Sequence, residues 1–433
     1  MTLASPLFLS AFLPLCALGL LLLKKTRYAS AWLLLCSCAF LALAENLSGW
    51  TWALIPLLSL AAFFLPRFGR RGAAAYVLLA VGMLAALKCT GAPWPIGLSF
   101  VALQGVSYAL DAAKTGAART NKLSDTLLYT LFFPKLAAGP LCRFDAFQRE
   151  ARGARVTWDH MLHGLLLLIF GLSKKLLLAD RLLPLLKGGF EAGAHPLFCL
   201  ITLIACPIYV YLDFSGYTDM ARGAARMLGV RLPENFDAPF SAASMRDFWR
   251  RWHITLSAFL RDYVYIPLGG SRKGRARAAL NALIVFLLMG LWHGATGPYL
   301  LFGLWHGALA ALERLEVIRP QRWPRALSRG YTLVCVAVGF VLFMAPDVQA
   351  AGRALVGIFR WNPSFSAWQA ALAGLTPLCC AALPVGIALA FCPRARIQRI
   401  DLRLLGAAAV LLLMLCYMAA LAGGYSPFLY AQF

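Results

Sequence analysis

Residues 278–312 contain no aspartate, glutamate, lysine or arginine, and this stretch sets the first limit on the fold. As one helix at 1.5 Å per residue it would run about 50 Å, well beyond a bilayer core of roughly 30 Å. It must therefore turn, and Gly294-Ala-Thr-Gly-Pro298 divides it into a helical hairpin. Other apolar runs of near-spanning length are Leu7–Leu23, Tyr28–Ala44, Trp50–Leu65, Ala73–Ala86, Trp94–Leu110, Met161–Ser173, Phe198–Leu212, Tyr331–Met344, Leu372–Phe391 and Leu404–Leu421. Only 14% of the residues are charged, against about 25% in soluble domains. The expected class is an all-α polytopic membrane protein of roughly ten to twelve spans, with no separate soluble domain. Met1–Leu23 has no charge ahead of its apolar run and no small-residue cleavage site before Lys24. It reads as a first transmembrane helix rather than a removed signal.

The formal net charge is +23. Basic clusters follow the first, third and fifth runs: Lys24, Lys25 and Arg27; Arg67, Arg70 and Arg71; Lys114, Arg119 and Lys122. The alternate connections are Glu45-Asn46 and Gly91-Ala-Pro93, with Lys88 the one cation nearby. This alternation places the N-terminus outside and the clusters in the cytoplasm, as does the later loop with Arg394, Arg396 and Arg399. Membrane lipid headgroups account for most of the charge, with a minor share left for a phosphorylated donor. Nucleic acid is not an expected partner, because the cations sit in short loops rather than one block. The twelve cysteines show no CxxC or Cys/His spacing; they read as small buried apolar residues, and no metal site is expected.

Two segments depart from plain spans. Thr126–Leu141 is apolar but carries Pro134-Lys135 at its centre and Gly139-Pro140 near its end. A central lysine is costly in lipid and proline removes a helix hydrogen bond, so a broken or re-entrant segment buried in protein is expected. The alternative is a proline-kinked helix with Lys135 snorkelling. Arg143–Asp159 is polar and amphipathic and reads as interfacial.

Candidate functional residues concentrate between Tyr211 and His306. His293 follows Trp292 just before the hairpin turn. Counted from Ala278, the first leg is about 15 residues, or about 22 Å, which would hold His293 below the outer surface at the floor of a cavity. An imidazole titrates near neutrality and suits general-base work; the alternative is a buried neutral histidine tying two helices together. His306 lies in the second leg beside Trp305 and Gly307, where packing or hydrogen bonding is favoured. Phe248, Trp249, Trp252, Leu256, Phe259 and Leu260 recur at helical spacing. They predict one amphipathic helix over Ser244–Tyr263, with Arg246, Arg250, His253, Ser257 and Arg261 opposite. His253 orients a substrate or second group in one reading; in the other, the helix merely meets lipid phosphates. Asp213 ends an apolar run, with Tyr211 before it and Gly216 as a potential helix break. A buried carboxylate needs a partner, and Arg250 or Arg251 is the expected one, in a structural or gating network.

No Walker motif, dinucleotide glycine fingerprint, HExxH or GxSxG is present. The motifs that are present resemble one family. They run Pro95-Ile-Gly-Leu-Ser-Phe100, Ser107-Tyr108, Phe133-Pro134 with Ala138-Gly-Pro140, Tyr211–Met220 and Pro233–Phe236. They continue through Asp247-Phe-Trp-Arg-Arg-Trp-His253, Leu260-Arg-Asp-Tyr263, Tyr265–Gly270 and Gly290-Leu-Trp-His-Gly294. In this order, over roughly residues 90–312, they resemble the membrane-bound O-acyltransferase (MBOAT) family, in its AlgI/DltB-like branch of alginate O-acetylases and teichoic-acid D-alanylation proteins.

The resemblance implies a single membrane domain over 1–433 around a central funnel: N-terminal spans over 1–90, a catalytic core over 91–312 and C-terminal spans over 313–433. It implies that His293 and His253 are the catalytic histidines, with Trp292, Tyr211, Asp213, Arg250, Trp252 and His306 supporting them. It further implies acetyl transfer from a cytoplasmic thioester to a hydroxyl acceptor, for O-acetylation of an exported or cell-wall polysaccharide. Acetyl-CoA would be the donor substrate, with no bound cofactor, and a periplasmic SGNH-type protein or the glycan the acceptor, at the bacterial inner membrane. D-alanyl transfer from a carrier protein is the alternative within the same chemistry. A transporter or flippase with a histidine proton relay is the alternative outside it.

Overall fold

The computed structural model describes residues 1–23, 28–44, 50–90, 94–191, 194–360, 369, 375–392, 402–422 and 426–429. The loop residues Lys24, Lys25, Arg27, Glu45, Asn46, Gly91, Pro93, Arg394, Arg396 and Arg399 lie outside this set. Among the described residues the secondary structure is helical, apart from one isolated bridge between Phe236 and Trp252. Five helical runs are long and apolar enough to cross a membrane: Leu54–Thr90, Trp158–Phe190, Pro196–Met227, Gly274–His293 and Arg325–Met344. Shorter apolar helices cover Phe8–Leu23, Ala29–Leu43, Pro377–Phe391 and Gly406–Leu421. The chain is thus an all-α multi-pass membrane protein. Its contacts divide it into two compact units, each entered by the chain more than once: residues 1–172, 216–234 and 409–433, and residues 173–215 and 235–408.

The first unit holds α1 (Leu13–Leu23), α2 (Ala29–Leu43), α3 (Leu54–Phe64), α4 (Gly69–Thr90), α5 (Leu98–Thr115), α6 (Leu123–Leu131), the single turn α7 (Phe133–Leu136), α8 (Phe144–Arg152) and α9 (Trp158–Leu172). The third and fourth expected spans are one helical run, bent through a tighter 3-10 turn at Leu65–Phe68. The fifth begins at Leu98 rather than Trp94, because Pro95 precedes the helix and Gly97 takes a left-handed φ of 84°. Thr126–Leu141 is broken as expected: the helix stops at Phe132, resumes for one turn and ends before Pro140. Lys135 is fully buried there, hydrogen-bonded to Gln104 and 4.1 Å and 4.6 Å from the ring centres of Tyr129 and Phe147. That π contact and hydrogen bond offset its desolvation, and the snorkelling alternative is overturned. Phe8, Phe12, Phe40 and Phe133 pack ring against ring in the same unit.

The second unit begins with a π-helical stretch, Ser173–Ala179, and continues through α10 (Asp180–Phe190) and the leading part of α11 (Pro196–Met227). It then takes in α12 (Met245–Arg251), α13 (Ile254–Leu260), α14 (Gly274–His293), α15 (Gly297–Arg314), α16 (Arg325–Met344) and α17 (Val348–Gly357). Two expectations fail here. Lys174-Lys175 does not end a span: the helical run Trp158–Phe190 continues through both lysines, which are buried. Gly216 does not break α11. The first leg of the hairpin is also longer than the apolar pattern suggests. It starts at Gly274 and has 20 residues, about 30 Å, because Arg275 and Arg277 sit exposed in its first turns without stopping it.

Candidate active site

The hairpin places His293. Helix α14 ends on this residue, where Gly294 takes extended backbone and its N–H bonds back to Gly290. Thr296 and Pro298 then start α15. The two legs close tightly because a Cβ on Gly303 would lie 2.6 Å from the Phe286 carbonyl, and one on Gly290 would lie 2.4 Å from that of Tyr299. His293 is 4% exposed. Its ring centre lies 4.7 Å from Trp292, 5.0 Å from Phe343, 6.0 Å from Phe302 and 6.2 Å from Tyr299. The depth argument from a short first leg does not hold. Rings from α15 and α16 bury His293 at the helix end instead.

His306 shares Phe302 with His293, at 4.7 Å. Trp249 stands perpendicular to it at 5.1 Å and Phe286 flanks it at 6.2 Å. Opposite, the place of a Cβ on Gly339 is already taken by the imidazole, at 2.2 Å from Nε2. His306 is fully buried, and neither ring nitrogen has a hydrogen-bond partner among the described residues. Packing, rather than a hydrogen bond, holds it.

His253 is where sequence and structure part most sharply. Ser244–Tyr263 is not one helix: α12 stops at Arg251, Trp252 is extended, and His253 takes a left-handed φ of 43° before α13 begins. A left-handed histidine is uncommon and needs support from its surroundings. Asn235 and Phe236 supply it. The Asn235 carbonyl accepts from Ile254 N at 3.0 Å, and its side-chain oxygen accepts from Thr255 N at 3.2 Å and Thr255 Oγ1 at 2.6 Å. Phe236 bridges to Trp252, and Asp237 N donates to Arg251 O. The break turns the imidazole inward, to 2% exposure, with the Phe214 ring at 4.7 Å. Burial pushes its pKa down to about 3, so it is neutral at pH 7. The expected polar face of Arg246, Arg250, His253, Ser257 and Arg261 does not exist, because the helical register is lost at residue 253.

Trp252 packs between Phe248 at 5.5 Å, Phe340 at 4.8 Å and Phe236 at 5.0 Å, with Tyr211 at 6.4 Å. Phe340 in turn meets Phe302 at 6.1 Å. A chain of rings thus links the surroundings of His253 to those of His293, and Trp249 of α12 joins it at Phe302, at 6.4 Å. Arg250 is exposed and outside this assembly. Arg251 pairs with Asp247 at 3.0 Å, so neither arginine partners Asp213. The partner of Asp213 is the buried Lys175, at 2.6 Å.

Three supporting residues have roles that periodicity does not reveal. Asn235 splints the break, and Lys175 neutralises Asp213. Glu313, near the end of α15, caps α12 by accepting from Met245 N at 2.8 Å and Arg246 N at 3.2 Å, which satisfies orphan N–H groups at a helix start. The available signals were the Pro-Glu-Asn-Phe run and a lone acid closing an apolar hairpin.

The family model of the membrane-bound O-acyltransferases matches residues 109–350, a span that contains His253, His293 and His306. A probable alginate O-acetylase, AlgI, of Pseudomonas putida is 34% identical over 369 residues, covering 78% of this chain and 75% of that protein. The peptidoglycan O-acetyltransferase of Helicobacter pylori is 29% identical, over 62% of this chain and 57% of that protein. The teichoic acid D-alanyltransferase of Bacillus subtilis is 26% identical, over 57% and 68% respectively. Against other alginate O-acetylases the match spans only 52–55% of their length. With the family match covering more than half of its residues and a relative aligned over three quarters of both chains, this chain belongs to the membrane-bound O-acyltransferase family.

Proposed function

We propose that this acyltransferase moves an acetyl group from a cytoplasmic thioester, acetyl-CoA, to a hydroxyl acceptor, for O-acetylation of an exported or cell-wall polysaccharide at the bacterial inner membrane. The acceptor is either the glycan itself or a periplasmic SGNH-type protein that passes the group on. His293 takes the proton of the acceptor hydroxyl. The oxygen attacks the thioester carbonyl, a C–O bond forms, the C–S bond breaks, and the departing thiolate is protonated. A positioned histidine base contributes about 10²- to 10⁴-fold. Neutral His253, linked to His293 through a chain of rings, acts as an orienting dipole, with Trp292, Tyr211, Trp252, Asp213 and His306 shaping the surroundings.

The observation that carries this reading is the run of alginate O-acetylase relatives together with a buried histidine at the hairpin end, inside the matched region. The test is transfer of radiolabel from acetyl-CoA to candidate glycans by the purified protein, with and without a periplasmic partner. His293→Ala should insert and fold normally and lose at least about 10²-fold in turnover. Full transfer by that variant would refute the base assignment.

The D-alanyltransferase relatives favour a second reading, in which an aminoacylated carrier protein is the donor. It predicts no turnover of acetyl-CoA and transfer only when the charged carrier is supplied.

A further inference from the structure

Four charged side chains lie buried together in the second unit, and the chemistry proposed above uses only one of them. The Lys175 ammonium, in the π-helical stretch, is 2.6 Å from Asp213 Oδ1 and 2.9 Å from Asp180 Oδ1. Lys174 beside it donates to Ser215 Oγ at 3.2 Å and stands 5.6 Å from the Tyr211 ring centre. Each of the four charged side chains is at most 4% exposed, and their charges cancel. The cluster joins three successive pieces of helix: the π turn, the first residue of α10 and the middle of α11. π turns recur at functional sites. Buried ion clusters are poor sources of stability but can fix one register against another.

The register fixed here bears on His253. Asp213 is the residue before Phe214, whose ring packs edge-on against the His253 imidazole at 4.7 Å and 78°. Two residues earlier, Tyr211 reaches Trp252. A shift of α11 along its axis or about it would move both rings, and His253 holds a strained backbone with little freedom to follow. We propose that Lys175 is a positioning residue for His253, acting through Asp213 and Phe214. The proposal rests on the acyltransfer reading and gives Lys175 no contact with substrate.

The test is a double-mutant cycle on the full chain in detergent or nanodiscs, measuring kcat, KM for acetyl-CoA and thermal unfolding. Lys175→Met is expected to lower kcat about tenfold or more, with KM for the donor within about twofold. Combined with His253→Gln, it should be no slower than the slower single variant, because both changes remove one function. The exchange Lys175→Asp with Asp213→Lys should recover much of the loss. Wild-type turnover in Lys175→Met, or losses that multiply in the double variant, would overturn the assignment; a purely structural role predicts the latter. If Lys175→Met does not insert, Asp213→Asn, which removes the other half of the pair at nearly the same shape, carries the same cycle and the same two outcomes. Absence of any transfer by the unaltered protein with either acetyl-CoA or charged carrier would instead overturn the functional reading itself.

Discussion

At the scale of single residues, the three candidate histidines, all in the second unit, differ in what surrounds them rather than in how deep they lie. His306 is enclosed by rings, His253 sits on a strained backbone, and His293 caps a helix end. Sequence spacing singled them out as candidates but could not separate these environments, because the rings around them come from α11, α12, α14, α15 and α16, drawn from distant parts of the chain. For His253 the environment has a measurable consequence. The folded protein holds its pKa near 3, against an ordinary value of 6.5, so the unfolded chain binds a proton that the folded one refuses. Stability from this group is fully present above about pH 6.5 and is lost as pH falls through the window down to about 3. At pH 5 the loss is roughly 2 kcal/mol, from 1.36 kcal/mol per pH unit. Thermal unfolding between pH 7.5 and 5 should show this decline, and His253→Gln should flatten it. An identical slope in that variant would show that His253 does not carry the effect.

At the scale of elements, the hairpin was legible and the α12–α13 pair was not. An uncharged stretch too long for one crossing, interrupted by two glycines and a proline, admits few shapes. The apolar stripe from Phe248 to Leu260 misled because a single left-handed residue costs the pattern only one position. Phe248, Trp252, Leu256 and Phe259 remain buried on both sides of the break, so periodicity reads straight through it. The break is held from outside, by Asn235, twenty residues from Thr255. Asn235→Ala removes the acceptor of both Thr255 donors and leaves them buried. It should cost about 1–3 kcal/mol and lower acyl transfer more than any surface change on α12, such as Arg250→Ala. Unfolding at the wild-type temperature with full transfer would mean that the left-handed turn holds without its splint.

At the scale of the whole molecule, apolarity alone fixed the class. Side chains such as Leu22, Phe68 and Leu78 are 74–77% exposed, which water would penalise and lipid tolerates. The partition into two units that the chain leaves and re-enters has no local signature, since α11 and the lysines before it look like any other apolar helix until their partners are known. Charge supplies the remaining axis. In the second unit Arg272, Lys273, Arg275, Arg277, Arg319, Arg322, Arg325 and Arg329 all belong to the start of α14, the segment after α15 and the start of α16, whereas the hairpin turn at residues 294–296 carries no charge. In an antiparallel hairpin these are opposite ends, separated by about 30 Å of helix. By the positive-inside rule the cation-rich end is predicted to be the cytoplasmic one, and His293, the last residue of α14, is predicted to lie toward the other face. A thioester made in the cytoplasm would then have to reach most of the way across the bilayer to meet it. An epitope inserted after Lys273 should bind antibody only in inside-out vesicles, and one inserted after Ala295 only in right-side-out vesicles. Exposure of the Ala295 epitope in inside-out vesicles, with or without that of the Lys273 epitope, would remove the need for a transmembrane path and leave His293 facing the donor directly.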